Sequence, residues 1–272
     1  MAANRRPAVA GAFYPGRRDE LGAALEACLP EPGGRRVPVG GVVVPHAGYV
    51  YSGRVAGAVF GAIEIPERAV LLGPNHTGLG AGAAVDPSAA WDTPLGSVPV
   101  DQGLSERIRR QCPDLQLDAM AHLREHSLEV EIPFLQRLRP EIEIVAICLG
   151  APRLDLCRAV GSALAGIVRG DARPPLLVAS SDMNHYESRA VGDRKNALAL
   201  DRILAIDPEG LFETVLSAEI SMCGFLPVTA LLFAARDLGW NRAEIVAQAD
   251  SGDVTGEVDS VVGYAGLVIG AG

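Results

Sequence analysis

The chain is poor in cysteine and has no arrangement of it that could organise a fold. Its five cysteines, Cys28, Cys112, Cys148, Cys157 and Cys223, are odd in number and never spaced C-x-x-C. That excludes a disulfide framework and a zinc ribbon. Positive charge is also in deficit: 24 Lys and Arg stand against 33 Asp and Glu, a formal net charge of −9. Such a surface offers no general electrostatic grip on nucleic acid or anionic membrane. No apolar run approaches the ~18 residues of a spanning helix. Behind Arg5 and Arg6 there is no apolar stretch of the kind a secretory signal needs, so a cytoplasmic location is expected. Repeats, charge blocks and long linkers are absent too, and one domain over residues 1–272 is the expected organisation. No H-E-x-x-H, P-loop or G-x-S-x-G motif occurs, which disfavours those enzyme classes.

What is present is the composition of a globular protein, with 49% apolar and 21% charged residues in 272. Short Val-, Ile- and Leu-rich runs occur at 42–44, 69–72, 144–147, 176–179, 245–247 and 261–269. Unbroken runs of this kind suit strands buried on both faces of a sheet. Segments with helical apolar spacing alternate with them, at 19–29, 53–63, 154–168, 195–206 and 227–238. Asp207 and Pro208 supply a cap and a first-turn proline for another helix through Leu216. The alternation predicts an α/β fold with a central, mostly parallel sheet flanked by helices. Residues 79–102 read as loops with short strands around Val85 and Val98. Gly78, Gly80 and Gly82 there lack the spacing and following helix of a dinucleotide loop.

The histidines are not scattered evenly. His46 follows the run Val42–Val44, His76 follows Leu71–Leu72, and Asp182 and His185 follow Leu176–Ala179. In an open α/β sheet, ligands bind in the crevice beyond the carboxyl ends of the strands. A lone histidine usually serves structure. Three at equivalent strand ends point instead to one shared site, and imidazole is the commonest metal ligand. Pro45, Gly48, Gly73, Pro74 and Gly78 make tight turns around His46 and His76. Tyr49, Tyr51 and Asn75 are candidates for orienting hydrogen bonds. Cys223 precedes a helix starting near Phe225, where a helix N-terminus favours a thiolate. Spacing alone leaves it open as a third ligand or a buried thiol. The other four cysteines sit in apolar patterns and read as small core residues.

His122-Leu123-Arg124-Glu125-His126 matches the H-x-x-E-H pattern of inverted zinc proteases, which needs both histidines on one helical turn. Ser127 looks instead like an N-cap for a helix over Leu128 to Leu138, placing His126 at a helix entrance.

Beyond single motifs, the chain resembles a known family. The matching stretches are Pro7-Ala8-Val9-Ala10-Gly11-Ala12-Phe13-Tyr14-Pro15, Pro45-His46-Ala47-Gly48-Tyr49-Val50-Tyr51-Ser52-Gly53 and Leu72-Gly73-Pro74-Asn75-His76-Thr77-Gly78. Trp91-Asp92-Thr93-Pro94-Leu95-Gly96 and Glu125-His126-Ser127-Leu128-Glu129-Val130 continue the series. Ser180-Ser181-Asp182-Met183-Asn184-His185 and Ser251-Gly252-Asp253-Val254-Thr255-Gly256 complete it. In order and together they resemble the Memo family, in its prokaryotic branch called AmmeMemoRadiSam system protein B. The resemblance implies a fold like that of class III extradiol dioxygenases, non-haem iron(II) enzymes that open catechol rings. It implies metal ligation by His46, His76 and Cys223, with Asp182 and His185 lining the same pocket. It also implies association with radical-SAM and AMMECR-type proteins.

Where the ring-cleaving enzymes have a carboxylate ligand, this chain has Cys223, and a thiolate favours Cu(I) or Zn(II) relative to a hard site. The first expectation is a non-haem iron enzyme acting on an unknown substrate of phenolic type. Its cofactor would be Fe(II), with Cu or Zn as alternatives, and His185, Asp182 and His126 would serve as acid, base or orienting groups. The second is a non-catalytic metal- or peptide-binding scaffold, and the third a zinc hydrolase.

Overall fold

The computed structural model describes residues 3–31 and 36–272. Helix α1 (Arg18–Cys28) precedes strand β1 (Gly41–Val44), helix α2 (Tyr49–Ala62) and strand β2 (Arg68–Pro74). Three short strands follow, β3 (Ala83–Val85), β4 (Ala90–Thr93) and β5 (Gly96–Pro99), then α3 (Gln102–Gln111) and β6 (Gln116–Leu117). Next come α4 (Ile132–Leu138), β7 (Glu143–Leu149), α5 (Leu154–Gly170), β8 (Leu176–Ser180) and β9 (His185–Glu187). The chain ends with α6 (Arg189–Leu204), α7 (Pro208–Ser217), α8 (Phe225–Asp237), β10 (Arg242–Asp250), α9 (Gly252–Thr255) and β11 (Val261–Gly270).

The main sheet has the order β10-β11-β1-β8-β2-β7-β3-β6, and β9 pairs with β11. Its centre is parallel: β1 pairs with β8, β8 with β2, and β2 with β7. On either side it turns antiparallel, at β11 against β1 and β3 against β7. Successive side chains point to opposite faces, so an unbroken apolar run fills two cores at once. Val43, Val70, Leu72, Val145, Ile147, Leu177 and Ala179 pack against α3, α5, α6, α7 and α8. Val42, Val44, Ala69, Leu71, Ile144, Ala146, Leu176 and Val178 pack on the other face against α1, α2 and α4. That is the physical reason these strands carry no polar alternation.

Several expected boundaries change. Helix α2 begins at Tyr49 and not Gly53, because its first turn sets the exposed Val50 and Tyr51 beside buried Tyr49 and the polar Ser52 and shows no continuous apolar stripe to read. Helix α6 begins at Arg189 for the same reason, its opening turns being mostly polar. The helix expected over 128–138 is confined to Ile132–Leu138, with Pro133 in its first turn. Ser127 does not cap this helix: its hydroxyl donates to Pro74 O (3.3 Å), and the N-cap position is Glu131. The run at 245–247 lies in β10 at the sheet edge, where Ile245 is 36% exposed, and is not buried on both faces. Helix α3, unread in the sequence, is capped by Asp101, which accepts from Leu104 N–H (2.8 Å).

Candidate metal centre

Parallel pairing puts the carboxyl ends of β1, β2 and β8 on one rim. Each runs on for only one to four residues before delivering a candidate side chain: His46 after Pro45, His76 after Asn75, Asp182 after Ser181 and His185 after Asn184. Cys223 arrives from the opposite direction, just before α8. It can come so close because Gly224 has no side chain. A Cβ there would lie 2.2 Å from Ser180 O and 2.5 Å from Ser181 Cβ.

The result is a three-residue group. One ligating atom each of His46, His76 and Cys223 lies within 4.8 Å of the other two. Cys223 Sγ is 3.1 Å from His46 Nε2. His46 is buried, Cys223 half-buried and His76 exposed at the mouth. The ring centroids of His46 and His76 stand 5.2 Å apart, nearly perpendicular.

Each histidine is aimed by a partner on its other nitrogen. His46 Nδ1 lies 2.8 Å from Ser180 Oγ, which also contacts Glu131 Oε1 (2.8 Å) and Ser127 O (3.0 Å). A hydroxyl that donates to Glu131 or Ser127 can still accept from Nδ1–H, leaving the Nε2 lone pair facing Cys223. His76 Nδ1 lies 2.8 Å from Glu125 Oε1, and His76 N–H donates to Glu125 Oε2 (2.6 Å). Such outer partners set the tautomer and orientation of a ligating imidazole. Burial alone would raise the Glu125 carboxyl, but the hydrogen bond and charge of His76 and the Ser127 N–H outweigh it and hold it down at about 2.

The predicted acid/base residues take distinct places. Asp182 is buried, and its Oδ1 accepts from His46 N–H (2.8 Å) while its own N–H donates to Cys223 Sγ (3.2 Å). Burial pushes its carboxyl up to about 7, against the pull of the His46 and Ala47 amides. His185 Nδ1 meets Ser221 O at 2.8 Å, an arrangement that makes Nδ1 the donor and puts the ring's lone pair on Nε2. Burial holds its ring below the ordinary imidazole range. His126 stacks on His76 with centroids 4.6 Å apart and lies edge-on to His46 at 5.4 Å. Phe13 covers its other side at 4.6 Å.

Other expectations are corrected. The helix N-terminus does not dominate at Cys223: burial, with Asp182 nearby, pushes its thiol well up. Residues 119–124 form turns and not a helix, so the H-x-x-E-H geometry does not arise. His122 is fully buried, with Nε2 3.2 Å from Ala84 O and Nδ1 3.5 Å from Cys148 Sγ. Tyr49 donates to Val130 O inside the core, and Asn75 serves its own turn through Thr77, Gly78 and Leu79. The orienting residues are instead Ser180, Glu131, Glu125 and Ser221. Glu125 was visible in the H-x-x-E-H pattern, but besides its neighbour His126, whose N–H donates to it (3.0 Å), its imidazole partner is the distant His76. Ser180, Glu131 and Ser221 carry no local signal.

Fold and site together define an α/β protein that presents a His/His/Cys group at the carboxyl ends of its central strands. The chain belongs to the Memo-like protein family, whose model matches residues 5–268. It is 39% identical to a MEMO1 family protein of Methanopyrus kandleri, over 98% of this chain and 99% of the relative. A MEMO1 family protein of Methanocaldococcus jannaschii is 40% identical over 97% and 98%, and one of Thermotoga petrophila 40% identical over 97% and 99%. The fold is shared with the crystal structure of an uncharacterised protein of Escherichia coli K12. That match has a TM-score of 0.57 at 16% identity, covering 84% of this chain and 98% of that one. Among the described residues, no helix is long and apolar enough to cross a membrane.

Proposed function

We propose that this chain is a metal-dependent redox protein of the non-haem oxygenase type, working in the cytoplasm on a phenolic substrate. The observation that carries the reading is the convergence of His46, His76 and Cys223 within 4.8 Å. Two imidazole nitrogens with their second nitrogens already engaged, plus one sulfur, are a donor set that fits a divalent transition metal. Fe(II) is the proposed cofactor, with Cu or Zn as alternatives; bound there, it would supply one-electron chemistry and a positive charge to draw in a phenolate.

The chain's own residues have definable tasks in such a reaction. Cys223 must surrender its proton on ligation, and Asp182 N–H then stabilises the sulfur's negative charge. His185, with its lone pair on Nε2, would accept a proton from a substrate hydroxyl. Asp182 tethers the His46 backbone beside it. His126, stacked on His76 and covered by Phe13, walls the pocket and restricts water.

Cys223 favours a second reading, a non-catalytic metal- or peptide-binding scaffold that works with radical-SAM and AMMECR-type partners, because a thiolate suits Cu(I) or Zn(II). A zinc hydrolase is the third. Metal analysis of protein purified anaerobically without chelators, followed by oxygen uptake with catechols, separates them. Iron content and catechol-dependent uptake support the first reading. Bound Cu or Zn without turnover moves the reading to the scaffold, and no bound metal ends both enzyme readings and leaves a peptide-binding scaffold.

A further inference from the structure

The N-terminal segment reaches the supports of this site. Arg5 is buried, its guanidinium 3.9 Å from the centroid of Trp91. All three of its nitrogens donate to one stretch of chain. Nε donates to His122 O (2.7 Å), Nη2 to Glu125 O (2.6 Å) and Nη1 to Glu129 Oε2 (2.7 Å). Glu129 in turn accepts from Ala8 N–H (2.7 Å), Val9 N–H (3.0 Å) and the Tyr14 hydroxyl (2.7 Å).

That stretch, residues 122–131, supplies both carboxyl groups that aim the imidazoles. Glu125 holds His76 directly, and Glu131 holds His46 through Ser180. It runs in turns until α4 begins at Ile132, so no regular helical ladder sets its course. Its geometry depends on what grips it from outside.

We infer that the buried Arg5–Glu129 ion pair is a positioning pair for the metal centre, setting the orientation of His76 and His46 through residues 122–131. The inference rests on the His46/His76/Cys223 reading above. Lysine could keep the charge at position 5 but not three donors in three directions. Loss of outer support at a ligating histidine typically costs about 10–100-fold in metal affinity.

A pair that merely held the fold would lower stability and leave affinity alone. Arg68 supplies the control. It is similarly buried and bonded to Asp171 and Asp101, yet it opens β2 at the end opposite His76. The test is anaerobic Co(II) titration of the full chain, reading affinity and thiolate-to-cobalt absorption, with circular dichroism showing that each variant is folded at the titration temperature. The parent should bind one Co(II) with an absorption band missing from Cys223→Ser. Arg5→Lys and Glu129→Gln should bind about 10–100-fold more weakly with an altered band, and Arg68→Lys should bind like the parent. Should either of the first two fail to fold, Tyr14→Phe removes a single hydrogen bond to Glu129 and should show a smaller loss in the same direction. Parental affinity and absorption in the folded Arg5, Glu129 and Tyr14 variants would overturn the inference, as would an equal loss in Arg68→Lys. A parent that binds no Co(II) overturns the metal reading itself and the inference with it.

Discussion

Cys223 and His185 are proposed to do different things, and single substitutions separate the tasks. Cys223→Ser keeps a similar volume while replacing a soft donor with a hydroxyl that ligates poorly. It should strip most of the metal and leave the unfolding midpoint of the metal-free protein near the parent's, checked by metal analysis beside thermal unfolding. Cys112 and Cys157 are buried in the apolar core and Cys148 is buried beside His122, so changes there should lower stability instead. His185→Ala should retain the metal and lose about 10²–10⁴-fold in turnover, the usual cost of a missing general base. Loss of metal in that variant would make His185 a ligand, and unchanged oxygen uptake would remove its proton-transfer role.

The elements matter through their ends. Strands β1, β2 and β8 bring three short turns to one rim, and the entry to α8 brings the sulfur. Gly224 is the point where that entry touches β8. Gly224→Ala would drive a Cβ to 2.2 Å from Ser180 O, so the first turn of α8 must retreat and carry Cys223 with it. Overpacking of this kind costs about 1–3 kcal/mol, and weaker Co(II) binding should accompany the lower unfolding midpoint. A folded Gly224→Ala protein with parental Co(II) affinity would show that the thiol does not depend on this contact. The turns at 122–131 belong to the same scale: sequence spacing gives them a helical appearance, while buried polar contacts to Arg5 and His76 keep them out of a helix until Ile132.

Across the whole molecule, the end of the sheet remote from the metal site is tied by a different set of charges. Asp171, just past α5, accepts from Arg68 at the start of β2 (2.7 Å), from Arg173 N–H (2.9 Å) and from Arg107 on α3 (2.6 Å). The Arg68 hydrogen bond, then the Arg173 amide, holds its carboxyl far below the usual range. A carboxyl depressed in the folded state contributes stability that is complete above its unfolded value, about 3.9, and lost as pH falls through the folded value. Asp171→Asn should therefore lower the unfolding midpoint at pH 5–8, with the gap to the parent narrowing in acid below about pH 4. A gap of constant size across that range would mean the carboxylate's charge is not what stabilises the folded state.

The apolar runs by themselves determined the layered α/β fold, because a strand buried on both faces must be apolar at every position. They also marked where the central strands end, and so placed His46, His76, Asp182 and His185 on a common rim. Apolar patterning could not locate β10 at an exposed edge, since the order of strands is a property of the assembled sheet. Nor could it find α3 or the first turns of α2 and α6, whose surfaces are polar or outward-facing. Only the tertiary structure decided which groups support the site. Glu125 meets a histidine 49 positions away, Ser180 joins β8 to Glu131, and Arg5 spans more than 115 residues to reach the same turns. Buried hydrogen bonds of this kind are fixed by distance and angle in the folded chain, and separation along the sequence carries no trace of them.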